Sequence, residues 1–369
     1  MRVLTLNPGS ASLKVALVDG EDVLAADGGD AAIRDAIRRW GRPDAVAVRF
    51  VHGGPRRQPV VLDDQELARL ARLVPLAPLH QPQSLRLATW ARKLLPDVPV
   101  VAAFDTAFHA GLPEAAARYA LPTAWTRRHG IRRYGFHGLS CAYALRRTAR
   151  LLDRVPDALR MVCCHLGSGV SVTAIRHGAS VDTSMGFTPV EGAVMASRAG
   201  SVDPGLLLHL LRTGVTDVDE LTDVLYHRSG LAGMTATSGD IREVLAACGA
   251  GDADAETAVE VYLHRLRREI GAAVAGLDLL DAVVFTGGVA EHQPVLLGRL
   301  LDGLAVLGLH ADRPRLAAAG DRLISPAGRV PVLLVAAREE LELARHAELL
   351  LATEPARQHR GEQPCASER

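Results

Sequence analysis

Short apolar runs alternate with tight turns at the start of the chain. The runs Val3 to Leu6 and Leu13 to Val18 are each followed by a turn that contains glycine. Short apolar runs bounded by turn residues are typical of β-strands. The sequence therefore predicts that the chain begins with a β-hairpin sheet.

The same pattern returns in the middle of the chain. The runs Val162 to His165 and Val170 to Ile175 flank a second glycine turn, Leu166-Gly167-Ser168-Gly169. Three turn residues recur at one offset of 158 positions: Gly9, Ser10 and Gly20 correspond to Gly167, Ser168 and Gly178. Matched turns between matched strand pairs indicate an internal duplication. We therefore expect two similar domains, residues 1–147 and residues 148–338.

The rest of each half alternates between strand-like and helical segments. Further strand-like runs are Ala45 to Val51, Val98 to Phe104, Ala282 to Thr286 and Val330 to Val335. Amphipathic helical periodicity covers Asp64 to Val74 and Ala255 to Leu277. This pattern predicts an α/β fold with mixed sheets flanked by helices. Ligands of open α/β sheets bind beyond the carboxyl ends of the strands, so we expect an interdomain cleft lined by residues that follow strands.

Composition excludes several classes of function. The 369 residues carry 42 Lys+Arg and 42 Asp+Glu, which leaves no net charge to attract nucleic acid or an anionic membrane. No apolar run is long enough for a membrane span, and the N-terminus does not resemble a secretion signal. The 5 cysteines form no disulfide framework. We expect a cytoplasmic enzyme with reduced thiols and, from about residue 353 to 369, a disordered tail.

The first turn combines a glycine, two hydroxyls and a lysine in Asn7-Pro8-Gly9-Ser10-Ala11-Ser12-Leu13-Lys14. Backbone amides and hydroxyls in such a turn can bind phosphate, and the lysine adds a point charge. The spacing is not that of a Walker loop, so this turn taken alone favours an ordinary hairpin turn over a phosphate site. Gly167-Ser168-Gly169 has the same two interpretations, and two such turns facing one cleft favour a nucleotide.

Four polar residues occur where apolar runs stop: Arg49, Asp105, His137 and Arg198. Each alone has a structural explanation, such as a capped turn or a satisfied buried group. Together they supply two cations, a hydrogen-bonding imidazole and a carboxylate. Phosphoryl transfer to a carboxylate needs no general base, because the acceptor is already ionised, but it needs the repulsion between two anions to be neutralised. The set fits that requirement.

The ordered motifs resemble those of the acetate kinase family, within the sugar kinase, Hsp70 and actin superfamily. Besides the first turn, they are Arg49-Phe50-Val51-His52-Gly53-Gly54, Ala77-Pro78-Leu79-His80, Phe104-Asp105-Thr106-Ala107-Phe108-His109, Arg133-Tyr134-Gly135-Phe136-His137-Gly138 and Asp182-Thr183-Ser184-Met185-Gly186-Phe187-Thr188-Pro189. The resemblance spans residues 1 to about 345. It implies two duplicated ribonuclease H-like (actin/Hsp70-like) domains, a helix at 339–352 that returns to the first domain, and a homodimer.

The resemblance also implies roles for individual residues. Arg49 would bind the substrate carboxylate, with Asp105 as the essential acid near the metal. His137 and Arg198 would stabilise the transferred phosphoryl group. Lys14 would contact a nucleotide phosphate, while Asn7 and Glu339 would help to hold Mg²⁺ or Mn²⁺.

Two further sets follow from the same resemblance. The acyl pocket would be formed by Val51, Leu79, Phe136 and Pro189. The nucleotide-binding residues would be His165, Leu166, Gly167, Ser168, Gly169, Asp240, Ile241, Arg242, Gly288, Val289, Ala290, Glu291 and His292. Ser168, Ala290 and His292 depart from the usual family residues, which bears on the choice and affinity of the nucleotide.

These features predict an ATP- and Mg²⁺-dependent kinase that reversibly converts acetate to acetyl phosphate. A kinase for propionate, butyrate or another short carboxylate is the enzymatic alternative. A nucleotide-dependent conformational switch without catalysis is the other alternative, and it would need the nucleotide loops but not Arg49, Asp105, His137 and Arg198.

Overall fold

The computed structural model describes residues 1–9, 13–28 and 32–353. Backbone contacts divide the chain into two compact units. The first unit contains residues 1–107 and the chain from Arg338 on, and the second contains residues 108–337. Each unit has its own mixed sheet of 6 strands with helices packed on it, which confirms the predicted α/β class.

The first sheet has the strand order β3-β2-β1-β4-β6-β5 and the second the order β11-β12-β10-β7-β8-β9. The strands are β1 (Arg2–Pro8), β2 (Leu13–Asp19), β3 (Asp22–Gly28), β4 (Ala45–Phe50), β5 (Val60–Val61), β6 (Val100–Phe104), β7 (Arg160–Leu166), β8 (Val170–Arg176), β9 (Ala179–Thr183), β10 (Ala282–Thr286), β11 (Arg322–Leu323) and β12 (Val332–Leu334). In the first sheet β1, β4 and β6 are parallel neighbours. In the second, β7, β10 and β12 have the same relation.

The α-helices are α1 (Ala32–Trp40), α2 (Asp64–Ala71), α3 (Gln81–Leu94), α4 (Glu114–Ala117), α5 (Thr123–His129), α6 (Gly138–Leu151), α7 (Pro204–Arg212), α8 (Val218–His227), α9 (Gly230–Met234), α10 (Ile241–Gly249), α11 (Ala253–Ala275), α12 (Gly288–His292), α13 (Pro294–Asp302), α14 (Arg313–Leu316) and α15 (Glu339–Thr353). Short 3-10 helices lie at Val74–Leu76, Ala107–His109, Pro156–Ala158 and Ala305–Leu307. Several α-helices begin after an aspartate that accepts a backbone N–H, such as Asp240 before α10 and Asp252 before α11. No helix of the described ranges is long and apolar enough to cross a membrane.

The two sheets repeat one topology. Read from its other edge, the second sheet has the order β9-β8-β7-β10-β12-β11, so every strand corresponds to the strand six numbers earlier in the first sheet. Strand β7 begins and ends 158 residues after β1. The duplication predicted from the glycine turns is therefore present in the fold.

The central strands of both sheets are buried on both faces. Phe50, Phe104 and Leu6 are fully buried in the first unit, and Phe285 and Met161 in the second. These strands are mainly continuous runs of apolar residues, as expected where helices cover both faces of a sheet. The polar residues at their ends are therefore held by a rigid frame.

The boundary between the units differs from the predicted domain boundary at 147. Residues 108–147 belong to the second unit, because α6 packs on β7 and β10 of the second sheet. Helix α15 packs on β1 and β4 of the first sheet, although it follows the whole second unit in sequence. The predicted tail lies outside the described residues, apart from Thr353 at the end of α15, and so do Ser10, Ala11 and Ser12 of the first turn.

Candidate active site

In the first unit, four predicted site residues meet around one guanidinium group. Arg49 donates from Nε to Oδ1 of Asp105 at 3.0 Å and from Nη2 to Oδ2 at 2.6 Å. Its Nη1 donates to Oδ1 of Asn7 and to Oε2 of Glu339, both at 3.0 Å. Nδ2 of Asn7 donates to the same oxygen of Glu339 at 2.8 Å. We call these four residues the Arg49 cluster.

The fold explains how distant residues form the Arg49 cluster. Asn7 lies near the end of β1, Arg49 near the end of β4, and Asp105 directly after β6. These three strands are parallel neighbours, so their carboxyl ends lie at one edge of the sheet. Glu339 is the first residue of α15, which packs on the same strands.

Burial and charge fix the ionisation of the Arg49 cluster. The side chain of Asp105 is 1% exposed and that of Arg49 12% exposed. Burial opposes the charge of Arg49, but Asp105 and Glu339 outweigh it and raise the pKa of Arg49 above its ordinary value. The guanidinium is therefore permanently charged. Counting one positive charge on Arg49 and one negative charge each on Asp105 and Glu339, the cluster has a formal net charge of minus one.

The other predicted residues of the first unit are Lys14, Val51 and Leu79. Lys14 lies directly opposite Asn7 in the register of β1 and β2, and its side chain is exposed. Directly opposite residues of an antiparallel pair share one face of the sheet. Val51 is buried just after β4, and Leu79 is half-buried before α3.

In the second unit, His137 lies at a strained position just before α6. Its backbone has a φ of +58°, in the left-handed region that non-glycine residues rarely adopt. Its Nδ1 forms a hydrogen bond of 3.0 Å with the hydroxyl of Ser171 on β8. Its ring packs on the ring of His165, with centroids 4.2 Å apart. The imidazole is thus held in one orientation by two strands of the second sheet.

Arg198 belongs to the same neighbourhood. It is 8% exposed, and its Nη1 donates to the carbonyl oxygen of Pro189 at 3.0 Å. A Cβ atom at Gly169 would lie 3.2 Å from Nε2 of His137 and 3.5 Å from Nη1 of Arg198. The second glycine turn therefore contacts both the imidazole and the guanidinium, and a larger residue at 169 would crowd the imidazole. Phe136, next to His137, is 1% exposed.

A cavity of about 490 Å³ lies in the second unit, a volume typical of small-molecule sites. Eight predicted nucleotide-binding residues line it: Gly167, Ser168, Asp240, Ile241, Arg242, Gly288, Val289 and His292. Arg242 folds back on Asp240, and its hydrogen bonds lower the pKa of Asp240 to about 2. Asp240 is therefore ionised at neutral pH.

The remaining predicted nucleotide residues of the second unit do not line this cavity. His165 and Gly169 lie beside His137, and Glu291 accepts the backbone N–H of Ala337 at 2.9 Å. Ala290 is 1% exposed and, like Leu166, lines a small apolar space that adjoins Val289. The methyl group of Ala290 therefore does not narrow the larger cavity.

Sequence reasoning missed several residues of the cavity wall, namely Ala196, Leu231, Gly239, Tyr262 and Gln293. Gly239 has a φ of +82°, and a Cβ atom there would lie 2.2 Å from the carbonyl oxygen of Ala196. Gly239 could have been identified from the sequence as a cavity residue, because it directly precedes the predicted residue Asp240. Tyr262 lies within the long helix α11, where nothing in the local pattern separates a cavity residue from a core residue.

Comparisons with known proteins identify the family of the chain. The sequence model of the Acetokinase family matches residues 36–345. An acetate kinase of Streptomyces avermitilis is 45% identical over 313 residues, which cover 84% of this chain and 77% of that protein.

Two solved structures are similar over nearly the whole chain. A propionate kinase of Francisella tularensis has a TM-score of 0.87 at 30% identity, covering 94% of this chain and 98% of that chain. An acetate kinase of Porphyromonas gingivalis has a TM-score of 0.86 at 32% identity, covering 95% and 99%. The chain therefore belongs to the acetokinase family, and it is a kinase whose phosphoryl acceptor is a carboxyl group.

Proposed function

We propose that this chain transfers the γ-phosphoryl group of ATP to acetate in one reversible in-line step. A carboxylate oxygen of acetate forms a bond to the γ-phosphorus while the bond to the oxygen that bridges the β- and γ-phosphates breaks. The products are acetyl phosphate and ADP. The observation that carries this proposal is the Arg49 cluster, a buried guanidinium held by two carboxylates and an amide at the strand ends of an acetokinase fold.

Arg49 is proposed to bind the acetate carboxylate. A guanidinium suits a carboxylate because it is permanently charged. Since Nε and one N–H of Nη2 already face Asp105, acetate would accept from the second N–H of Nη2. Asp105 and Glu339 set the plane of Arg49 before the substrate binds. Because the guanidinium is already oriented, less side-chain reorganisation is needed to reach the transition state.

His137 and Arg198 are proposed to stabilise the phosphoryl group during transfer. The charge of that group is spread over three equatorial oxygens, and donors aimed at them lower the barrier. The bond between Nδ1 of His137 and Ser171 orients the opposite side of the ring, with Nε2, toward Gly169 and Arg198. The imidazole thus supplies a hydrogen bond and Arg198 a permanent charge.

The cavity of the second unit is proposed to bind the nucleotide. Apolar contacts from Ile241 and Val289 and polar groups from Ser168 and His292 suit a heterocyclic base and a ribose. Lys14 is proposed to contact a phosphate of the nucleotide.

The residues of the Arg49 cluster fit a Mg²⁺ ion in chemistry, since Mg²⁺ prefers carboxylate and amide oxygens. Among residues 1–9, 13–28 and 32–353, no three His, Cys, Asp or Glu side chains could hold a metal by themselves. A site completed by phosphate and water matches this, because Mg²⁺ usually keeps several waters and takes one or two carboxylates. Asn7 and Glu339 would hold the ion, which would neutralise phosphate charge when bound.

Acetate is proposed as the preferred acyl substrate, with propionate as the poorer one. The acyl pocket would consist of Val51, Leu79, Phe136 and Pro189. The propionate kinase of Francisella tularensis supports propionate as a second candidate, because its fold is as similar to this chain as that of an acetate kinase. One extra methylene changes discrimination by about 1–3 kcal/mol, so both acids are expected to react.

The test combines the protein, ATP and Mg²⁺ with acetate, propionate or butyrate in the presence of hydroxylamine. Hydroxylamine traps an acyl phosphate as a coloured hydroxamate. We expect acetate to give the highest kcat/KM and propionate a value about tenfold lower. Absence of hydroxamate with every acid, despite ATP binding, would contradict the proposal and favour the conformational switch.

Two further properties remain predictions of the sequence. The homodimer is testable by sedimentation of the purified protein. The cytoplasmic location is testable by fractionation of the source cells.

A further inference from the structure

A partly buried cluster that the mechanism above does not use lies in the second unit, against the loop that contains Pro189, whose carbonyl oxygen binds Arg198. Arg133 donates from Nη2 to Oε1 of Glu191 at 2.6 Å, and the hydroxyl of Tyr119 donates to Oε2 of Glu191. The guanidinium of Arg133 also lies over the ring of Tyr119, 5.5 Å from its centroid. Tyr119, Arg133 and Glu191 thus contact one another pairwise, and we call them the Glu191 cluster.

The Glu191 cluster holds both ends of the loop formed by residues 184–191. Nη1 of Arg133 donates to the carbonyl oxygen of Ser184 at 3.0 Å. The backbone N–H of Phe187 donates to the hydroxyl of Tyr119 at 2.9 Å. Since Glu191 ends the same loop, the three side chains fix its start, its middle and its end.

Gly186 packs the loop backbone directly against the Glu191 cluster. A Cβ atom at Gly186 would lie 1.7 Å from Oε2 of Glu191 and 2.1 Å from the hydroxyl oxygen of Tyr119. The carbonyl oxygen of Gly186 accepts the N–H of Tyr134 at 3.0 Å. The loop backbone therefore lies directly on the cluster and is bonded to the segment that leads to His137.

The loop in turn orients Arg198. Pro189 lies within it, and its carbonyl oxygen accepts the 3.0 Å hydrogen bond from Nη1 of Arg198. This bond directs one nitrogen of a guanidinium that is 8% exposed. A shift of the loop would therefore move Arg198 relative to His137 without removing either side chain.

We propose that Glu191 is a positioning residue for phosphoryl transfer, which acts with Tyr119 and Arg133 to fix the 184–191 loop and, through Pro189, the guanidinium of Arg198. This inference rests on the role that the proposed function gives to Arg198. A residue that acts through Arg198 loses its effect when Arg198 is absent, so a double-mutant cycle tests it directly.

The experiment measures kcat and both KM values for Glu191→Gln and Tyr119→Phe, each in the wild-type and the Arg198→Ala background. We expect each substitution to lower kcat about tenfold in the wild-type background and less than about twofold beside Arg198→Ala. KM for ATP is expected to change by less than about twofold, since the cavity residues are not touched. Tyr119→Phe provides a second, nearly isosteric route if Glu191→Gln yields no folded protein.

The matched control is Asp281→Asn. Asp281 forms ion pairs in the same unit with Arg160 at 3.0 Å and with Arg154 at 2.9 Å, and its side chain is 10% exposed. Neither arginine belongs to the described site. We expect Asp281→Asn to leave kcat unchanged. Three results would overturn the inference. The control could lower kcat as much as the cluster substitutions do, or a cluster substitution could lower kcat by the same factor with and without Arg198→Ala. The third result is that neither Glu191→Gln nor Tyr119→Phe changes kcat. If Arg198→Ala itself left kcat unchanged, the role of Arg198 in the proposed function would fail, and this inference with it.

Discussion

The Arg49 cluster permits a sharp comparison between two substitutions that each remove one negative charge, Asp105→Asn and Glu339→Gln. Asp105 accepts from Arg49 with both carboxylate oxygens. An asparagine keeps only one oxygen, and its amide N–H groups would then face Nε or Nη2 of Arg49. Glu339 accepts from Arg49 and from Asn7 with a single oxygen, Oε2. A glutamine can place its carbonyl oxygen there and keep both bonds.

The structure therefore predicts different losses of stability for the same change in charge. Breaking a buried ion pair by removing one partner costs about 3–5 kcal/mol. We expect Asp105→Asn to lower the free energy of unfolding by about 3 kcal/mol, near the low end of that range, because Glu339 and Asn7 still bind Arg49. We expect Glu339→Gln to lower it by about 1 kcal/mol, since Arg49 and Asn7 both keep their acceptor.

Urea unfolding followed by circular dichroism measures both values. The activity of the folded variants gives a second readout: Asp105→Asn is expected to lower kcat/KM for acetate because Arg49 loses its orientation, and Glu339→Gln to raise the Mg²⁺ concentration needed for half-maximal rate. Equal destabilisation by the two substitutions would refute the reasoning. A loss below about 1 kcal/mol for Asp105→Asn would also refute it, because the two hydrogen bonds between Arg49 and Asp105 would then contribute little to stability.

Three further predictions concern other parts of the molecule. Arg198→Ala is expected to lower kcat by about a hundredfold while KM for acetate changes little, and steady-state kinetics in which only KM changed would contradict its role. Ala196→Leu is expected to fill part of the cavity and raise KM for ATP about tenfold with KM for acetate unchanged, as measured by varying each substrate; equal effects on both would argue against a nucleotide site there. Burial lowers the pKa of His52 and of His109 to about 4, so the unfolded chain binds more protons below pH 6.5, and stability is expected to fall from pH 7.5 to pH 5 by about 2 kcal/mol for each histidine. Urea unfolding at both pH values checks this, and His109→Gln should reduce the difference; an unchanged difference would show that His109 is not the group that titrates.

The duplication and the strand-end residues were predictable because they leave local signals. Glycine turns at a fixed offset gave the repeat, and continuous apolar runs gave the strands that end near Arg49 and Asp105. The family resemblance then identified Glu339, which no local pattern relates to Arg49. Its position depends on α15 packing against the first sheet, a contact between residues 290 positions apart.

The boundary at 107 and the Glu191 cluster were not predictable, for a different reason. Both depend on which surface a segment packs against after the chain has folded. Tyr119 and Glu191 are separated by 72 positions and follow no repeating pattern. Similarly, Tyr262 satisfies the helical periodicity of α11 whether it faces a cavity or the core, so periodicity cannot distinguish the two.

The placement of α15 has a consequence for the synthesis of this protein. A ribosome produces the first sheet early, yet the helix that covers β1 and β4 and supplies Glu339 comes after all of the second unit. Domains generally fold as they emerge, beginning with the N-terminal one. The first sheet lacks α15 until the end of synthesis. A nascent chain that stops before residue 339 would therefore have a complete second sheet, whereas its first sheet would be packed by α1 and α3 but not by α15. The Arg49 cluster can therefore form only in a chain that extends to Glu339.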